Sequence, residues 1–365
     1  MDETSSSDFS SPISPKDITN EFMNNDFVSL CKDYTYTPSV LPRVRRIIVL
    51  ADIHGDYKLA IRLLEIGEVI SKNHGKIKWI GGDTYVVQVG DQIDRCRPRS
   101  VENLPCDDPQ ATENDEASDI KILKLFNDLH EQATKVHGKV ISLLGNHELM
   151  NVQGTMDYVS YQGLKEFDNY APDKSGKEAR KYAFSPGKQY AVMLGCSRLS
   201  SVIIGSNLFV HAGMIDKLLD KLHIRKPKDL EDINTLVRKW LLGLINKEYV
   251  SHIVDYDESS MFWTRILGSL PTNISSEDPT CIKYLDRVLK MFNIGSVIIG
   301  HTPQSFLFNK GINATCGNKI HRVDNASSAA FDGYDQILKL TRSINKSRTP
   351  QVLEILNDTT YNVLS

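Results

Sequence analysis

The stretch Arg46-Ile47-Ile48-Val49-Leu50-Ala51-Asp52-Ile53-His54-Gly55-Asp56 decides how the rest of the chain reads. Its first half is apolar and β-branched, without the polar alternation of a half-exposed strand. That predicts a strand buried on both faces, inside a layered α/β fold. Its second half turns at once to acid, imidazole and glycine, the side chains of a site built at the carboxyl end of a strand. Residues 57–70 then place Leu59, Leu63, Ile66 and Ile70 on one face of a helix.

The same unit recurs along the chain. Residues 85–89 run into Gly90-Asp91, residues 140–144 into Gly145-Asn146-His147-Glu148, residues 208–210 into His211-Ala212-Gly213, and residues 297–299 into Gly300-His301-Thr302-Pro303. Residues 351–356 add a further candidate strand. The strand ends thus offer Asp52, His54, Asp91, Asn146, His211 and His301 as ligands. All are oxygen or imidazole donors and none is a thiolate, which suits Mn, Fe or Zn in an open site rather than a structural thiolate zinc. Two ions sharing one carboxylate need about this many ligands.

In that order, Asp-x-His-Gly, Gly-Asp-x-x-Asp-Arg, Gly-Asn-His-Glu, His-Ala-Gly and Gly-His-Thr resemble the calcineurin-like metallophosphoesterases, more narrowly their phosphoprotein phosphatase branch. Residues 144–152, Leu-Gly-Asn-His-Glu-Leu-Met-Asn-Val, are similar to the Shewanella-like phosphatases. The resemblance implies a metallophosphoesterase-type β-sandwich flanked by helices, with the active site at the carboxyl ends of the strands. It implies a first metal on Asp52, His54 and the bridging Asp91, and a second on Asp91, Asn146, His211 and His301. A metal-bridging hydroxide would attack the phosphorus. Arg95 and Arg265 would grip the phosphoryl oxygens, as the arginine fork suits. His147, oriented by Asp94, would protonate the leaving oxygen. The implied activity is that of a phosphomonoesterase acting on phosphorylated protein or peptide, at phosphoserine/threonine or phosphotyrosine. The alternative is a hydrolase of dinucleoside polyphosphates or other nucleotides. Two departures stand out: Cys96 follows Arg95 where the family has glycine, and Pro303 takes the place of a second histidine.

The chain has 365 residues, 41% of them hydrophobic and 24% charged, which is globular composition. A net charge of -3 gives no global basic field for nucleic acid. No apolar run approaches the roughly 20 residues of a membrane span, and the acidic, Ser-rich start has no signal-peptide pattern. Six cysteines without a CxxC pair read as free thiols in a reducing, intracellular compartment, Cys96 and Cys106 among them. Three segments follow from this reading: an N-terminal extension, 1–40, partly disordered, with order beginning near Tyr34 or Leu41; a catalytic domain, 41–358; and a C-terminal tail, 359–365. Ser118 is a candidate cap for a helix to about Ala133, and residues 228–254 read as helical. Glu148 reads as structural, and Asp324 as a possible support for a ligand histidine. An acidic insertion, 96–118, holds Glu102, Asp107, Asp108, Glu113, Asp115 and Glu116 against Arg97 and Arg99. Beside the phosphate pocket, such a loop is expected to favour phosphopeptides with basic flanks.

Overall fold

The computed structural model describes residues 19–98, 104–337 and 346–365. Most of the Ser-rich segment expected to be disordered, and residues 99–103 of the insertion, lie outside these. Among the described residues the strands are β1 (Val40–Leu41), β2 (Arg46–Leu50), β3 (Ile70–Asn73), β4 (Lys76–Trp79), β5 (Tyr85–Gln88), β6 (Lys139–Leu143), β7 (Arg198–Leu199), β8 (Ser201–Ile204), β9 (Asn207–Val210), β10 (Ser296–Ile299), β11 (Asn313–Thr315), β12 (Ile320–Arg322), β13 (Val352–Leu356) and β14 (Thr360–Leu364). They form two six-stranded mixed sheets, ordered β14-β13-β2-β5-β6-β7 and β1-β8-β9-β10-β12-β11, and a separate β3-β4 hairpin.

Strand periodicity explains how the layers stack. In β2, Ile47 and Val49 face the second sheet, while Ile48 and Leu50 face helices. The space between the sheets is filled by these residues with Val87, Ile141 and Leu143 from one side and Val202, Phe209 and Ile298 from the other. The outer face of the first sheet is covered by α1 (Tyr57–Ile66) and α2 (Asp119–Thr134), through Leu63, Ile122 and Phe126. The outer face of the second sheet packs Leu208, Val297 and Ile299 against a larger helical cluster with Val237 and Trp240. The sandwich flanked by helices expected from the resemblance is therefore the fold.

β2, β5 and β6 pair in parallel, with Ile47 opposite Tyr85 and Tyr85 opposite Lys139. β9 and β10 also pair in parallel. Their carboxyl ends consequently gather on one side of the molecule. β13 closes the first sheet by pairing antiparallel with β2, Leu353 opposite Val49.

Three expectations change. Order begins earlier than Tyr34, because Phe22–Phe27 and Val28–Leu30 are helical and bury Phe22 and Phe27 against Cys196 and Leu242. Residues 359–365 are largely strand, β14, paired along all of β13. The cysteines are not free: Cys31–Cys196, Cys96–Cys106 and Cys281–Cys316 are disulfides. Their sequence separations of 165, 10 and 35 residues carry no pairing signal. The argument from cysteine usage to a reducing compartment falls with them, since disulfides persist mainly under oxidising conditions. No helix among the described residues is long and apolar enough to cross a membrane.

Candidate metal centre and its cavity

The loops that follow the strands are tied to one another before any ligand is considered. Ile53 and His54 donate their backbone N–H groups to the carbonyl of Asp91, each at 2.9 Å, and Gly55 N–H donates to Gln92 O at 2.9 Å. Glu148, at the start of α3 (Asn146–Val152), collects four backbone donors: Asp91, Gln92, Ile93 and Gly145, at 3.0, 2.7, 3.3 and 2.6 Å. This buried carboxylate staples the loop after β5 to the loop after β6, the structural role expected of it. Asp91 Oδ1 accepts from His147 N at 3.0 Å, and Asp52 Oδ2 accepts from His301 N at 2.9 Å.

Close packing demands glycine at two of these turns. Gly90 has φ +104°, and a Cβ there would stand 2.7 Å from Gly145 N. A Cβ at Gly300 would collide with the Asp52 carboxylate. His54, Asp91, Asp94 and His301 themselves hold positive φ of 48°, 53°, 73° and 63°. Non-glycine residues rarely adopt that conformation, and where they do the surrounding bonds enforce it, commonly at functional sites.

All six expected ligands are buried together. Two groups of donor atoms lie close enough to share an ion: His54, Asp91 and His147, and Asp91, His211 and His301, with Asp91 common to both. Asn146 joins the second group, its Oδ1 lying 3.0 Å from His211 Nε2. His211 Nδ1 lies 2.8 Å from Val89 O, which fixes the ring, and its Nε2 lies 3.3 Å from Asp91 Oδ2. Asp52 stands outside both groups but keeps Oδ1 buried without a partner, as does His54 Nδ1. Buried polar atoms are normally satisfied, so orphaned acceptors beside this donor set fit a pair of cations.

The charges are strained in the way such a site requires. Burial, then Asp324 and Asp91, push the Asp52 carboxyl well up. Burial also works to raise Asp91, but His211, His147 and His54 outweigh it and hold that carboxyl well below its usual range. Burial drives His54 and His301 well down, which keeps them neutral and able to ligate. Asp324, raised to about 6 by burial, has one unpartnered oxygen and acts electrostatically on both Asp52 and the candidate ligand His211.

His147 Nδ1 bonds Asp94 Oδ2 at 2.8 Å, the expected pair. The rest of Asp94's setting was not legible from sequence. Asn151 Nδ2 donates to Asp94 Oδ1 at 2.9 Å. Arg180, fully buried on the helix Gly176–Phe184, lies 3.5 Å from Asp94, bonds Asp119 at 2.7 Å, and donates to Asn151 Oδ1 at 2.9 Å. No motif surrounds Arg180. Its helix is simply packed where a cation can face two carboxylates.

His54, Asp91, Asn146, His147 and His301 open onto a cavity of about 820 Å³. Arg265 lines it, with Nη1 donating to His301 O at 2.9 Å. Arg95 does not line it. Arg95 is 5% exposed, with its guanidinium 3.5 Å from Asp56 and two of its nitrogens unpartnered. Arg97 stands in the wall instead. Tyr158, Tyr256, Trp263, Phe306, Phe331 and Tyr334 supply an aromatic wall. The insertion does not line the cavity with acid among its described residues. Glu116 instead pairs with Lys58 at 3.0 Å and accepts from Tyr57 N at 3.0 Å, and Asp115 accepts from Ser160 Oγ and Gln162 N, each at 2.9 Å.

A model of the calcineurin-like phosphoesterase family matches residues 45–305. An uncharacterised protein of Acanthamoeba polyphaga mimivirus is 39% identical over 255 residues, 66% of this chain and 97% of the viral one. Shewanella-like protein phosphatase 2 of Arabidopsis thaliana is 26% identical over 333 residues, 81% of this chain and 75% of that protein. Among solved structures, the cold-active protein-tyrosine phosphatase of a psychrophilic Shewanella species superposes with a TM-score of 0.60 at 19% identity, covering 91% of this chain and 83% of that one. The last likeness concerns the fold.

Proposed function

The chain belongs to the calcineurin-like phosphoesterase family, and from that premise we propose that it is a metal-dependent phosphomonoesterase acting on phosphorylated protein or peptide, with phosphotyrosine as the preferred ester. The observation that carries this reading is two groups of donor atoms that share Asp91, with His147 bonded to Asp94, reaching one cavity through His54, Asp91, Asn146, His147 and His301.

Asp52, His54 and Asp91 would hold one ion, and Asp91, Asn146, His211 and His301 the other. Bound there, divalent ions such as Mn, Fe or Zn would lower the pKa of a water towards about 7 and so supply an activated oxygen for attack. Arg97 and Arg265 bind the phosphoryl oxygens from the cavity wall and orient the ester. His147 keeps its Nδ1 proton on Asp94, leaving Nε2 to deliver a proton to the departing oxygen. Arg180 and Asn151 fix Asp94 so that the imidazole does not swing away.

The six aromatic rings support an aryl ester over a seryl one, because a flat ring can pack edge or face against them. The same rings could stack nucleobases, as the alternative requires, but two arginines match one phosphoryl group better than a polyphosphate chain. The test is a single panel with stripped and Mn-reloaded protein: phosphotyrosine peptide, phosphoserine peptide and diadenosine tetraphosphate. Chelation should abolish activity and Mn should restore it. Full turnover by metal-free protein, or turnover confined to the dinucleotide, sinks the proposal.

A further inference from the structure

We propose that the Cys96–Cys106 disulfide is a positioning element for substrate: it holds the turn that presents Arg97 to the phosphoryl group, so the grip on substrate depends on the oxidation of this one bond. The inference rests on the reading of the cavity as a phosphoesterase site.

The turn has few other restraints. Cys96 N–H donates to Tyr158 O at 3.0 Å. The Arg97 guanidinium is then anchored to the backbone of the same turn, Nη1 donating to Asp94 O at 3.1 Å and to Cys96 O at 2.7 Å. It lies 4.7 Å over the ring of Phe331 and 5.6 Å over that of Tyr158. Its aim therefore follows the carbonyls of Asp94 and Cys96, and Cys96 is held by Tyr158 O and by its bond to Cys106.

The far side of the insertion is fastened separately. Cys106 packs with Ala111 and Leu104, and Asp115 and Glu116 bond the body of the protein. The disulfide thus links that fastening to the turn across ten residues of sequence. The other disulfides do nothing comparable. Cys31–Cys196 pins the N-terminal helical segment, and neither it nor Cys281–Cys316 adjoins a residue of the cavity wall, as Cys96 adjoins Arg97.

Reduction by a phosphine balances simply. The S–S bond takes two electrons and two protons to give two thiols, and the phosphine becomes its oxide with oxygen from water. Cys96 and Cys106 are 1% and 4% exposed, so reduction is expected to be slow and must be verified by alkylation and mass spectrometry.

The experiment uses full-length, Mn-loaded protein, p-nitrophenyl phosphate as substrate and inorganic phosphate as inhibitor. Cys96→Ser/Cys106→Ser should raise KM and the phosphate inhibition constant about tenfold, the scale of one charge-assisted hydrogen bond. kcat should stay within about threefold. Arg97→Ala should match this, and combining the two should add little further loss. Cys281→Ser/Cys316→Ser should leave both constants unchanged. Phosphine-reduced wild type, checked by circular dichroism, should behave as the Cys96/Cys106 variant, and it provides the test if that variant does not fold. Unchanged phosphate inhibition after loss of the bond overturns the proposal, as does full additivity with Arg97→Ala or ready alkylation of Cys96 in unreduced protein. If the wild type hydrolyses no phosphomonoester, the functional reading fails by itself. Calorimetric titration of the same proteins with phosphate then still decides whether the disulfide governs the grip.

Discussion

The metal end and the substrate end of the cavity are held in different ways. Each ligand stands just past a buried strand or at the first turn of the helix after it, and the loops that carry the ligands are laced by backbone bonds to Asp91, Asp52 and Glu148. The substrate end has no such lattice. Arg265 leans on the carbonyl of His301, and Arg97 leans on the carbonyls of its own turn. Geometry set by a sheet is rigid and coded locally, whereas geometry set by a loop depends on whatever closes that loop, here a distant cysteine.

Four substitutions grade that contrast. Asp91→Asn, at the shared ligand, should give the largest effect: metal content measured by elemental analysis should fall, and kcat should drop about a thousandfold or more. Retained metal with retained activity would break the rigid-end picture. His147→Ala should lower kcat by about 10²–10⁴-fold with metal content nearly unchanged, and should cost least with acidic phenol leaving groups. Loss of metal would instead place His147 among the ligands, where its nearness to His54 and Asp91 also allows it. Arg265→Ala should weaken phosphate inhibition and raise KM by about tenfold to a hundredfold. Arg95→Ala should change the phosphate inhibition constant least, by less than about twofold, since Arg95 meets Asp56 and not the cavity. Its cost should appear as a lower melting temperature.

The sequence was informative where chemistry sits next to a strand. Asp52, His54, Asp91, Asn146, His211 and His301 could be picked out as candidates, and lie buried together, because a buried apolar run that stops at a polar residue leaves that residue at the end of the sheet. The pairing of His147 with Asp94 was implied by the resemblance, and the two side chains are in contact. Arg97 was hidden because two arginines flank Cys96, and which one faces the cavity depends on a loop closure ten residues away. Arg180 was hidden because a buried cation on an ordinary amphipathic helix has no local signature. For the acidic insertion, charge counting put its carboxylates beside the phosphate pocket; Asp115 and Glu116 instead accept hydrogen bonds from the body of the protein, and Glu102 lies outside the described residues. Counts of charge say nothing about which way a loop folds back.

The pairing of β13 with β2 bears on how the molecule is made. β2 carries Asp52 at its end, yet its neighbour on one side, Leu353 against Val49, is translated long after it. Until then the strand that founds the metal site emerges from the ribosome with an open edge, and an open apolar edge invites wrong partners. Native pairing at such sequence distance is also slow to form. A nascent chain stalled before Val352 should therefore be held by chaperones or aggregate, although every metal ligand has already been synthesised.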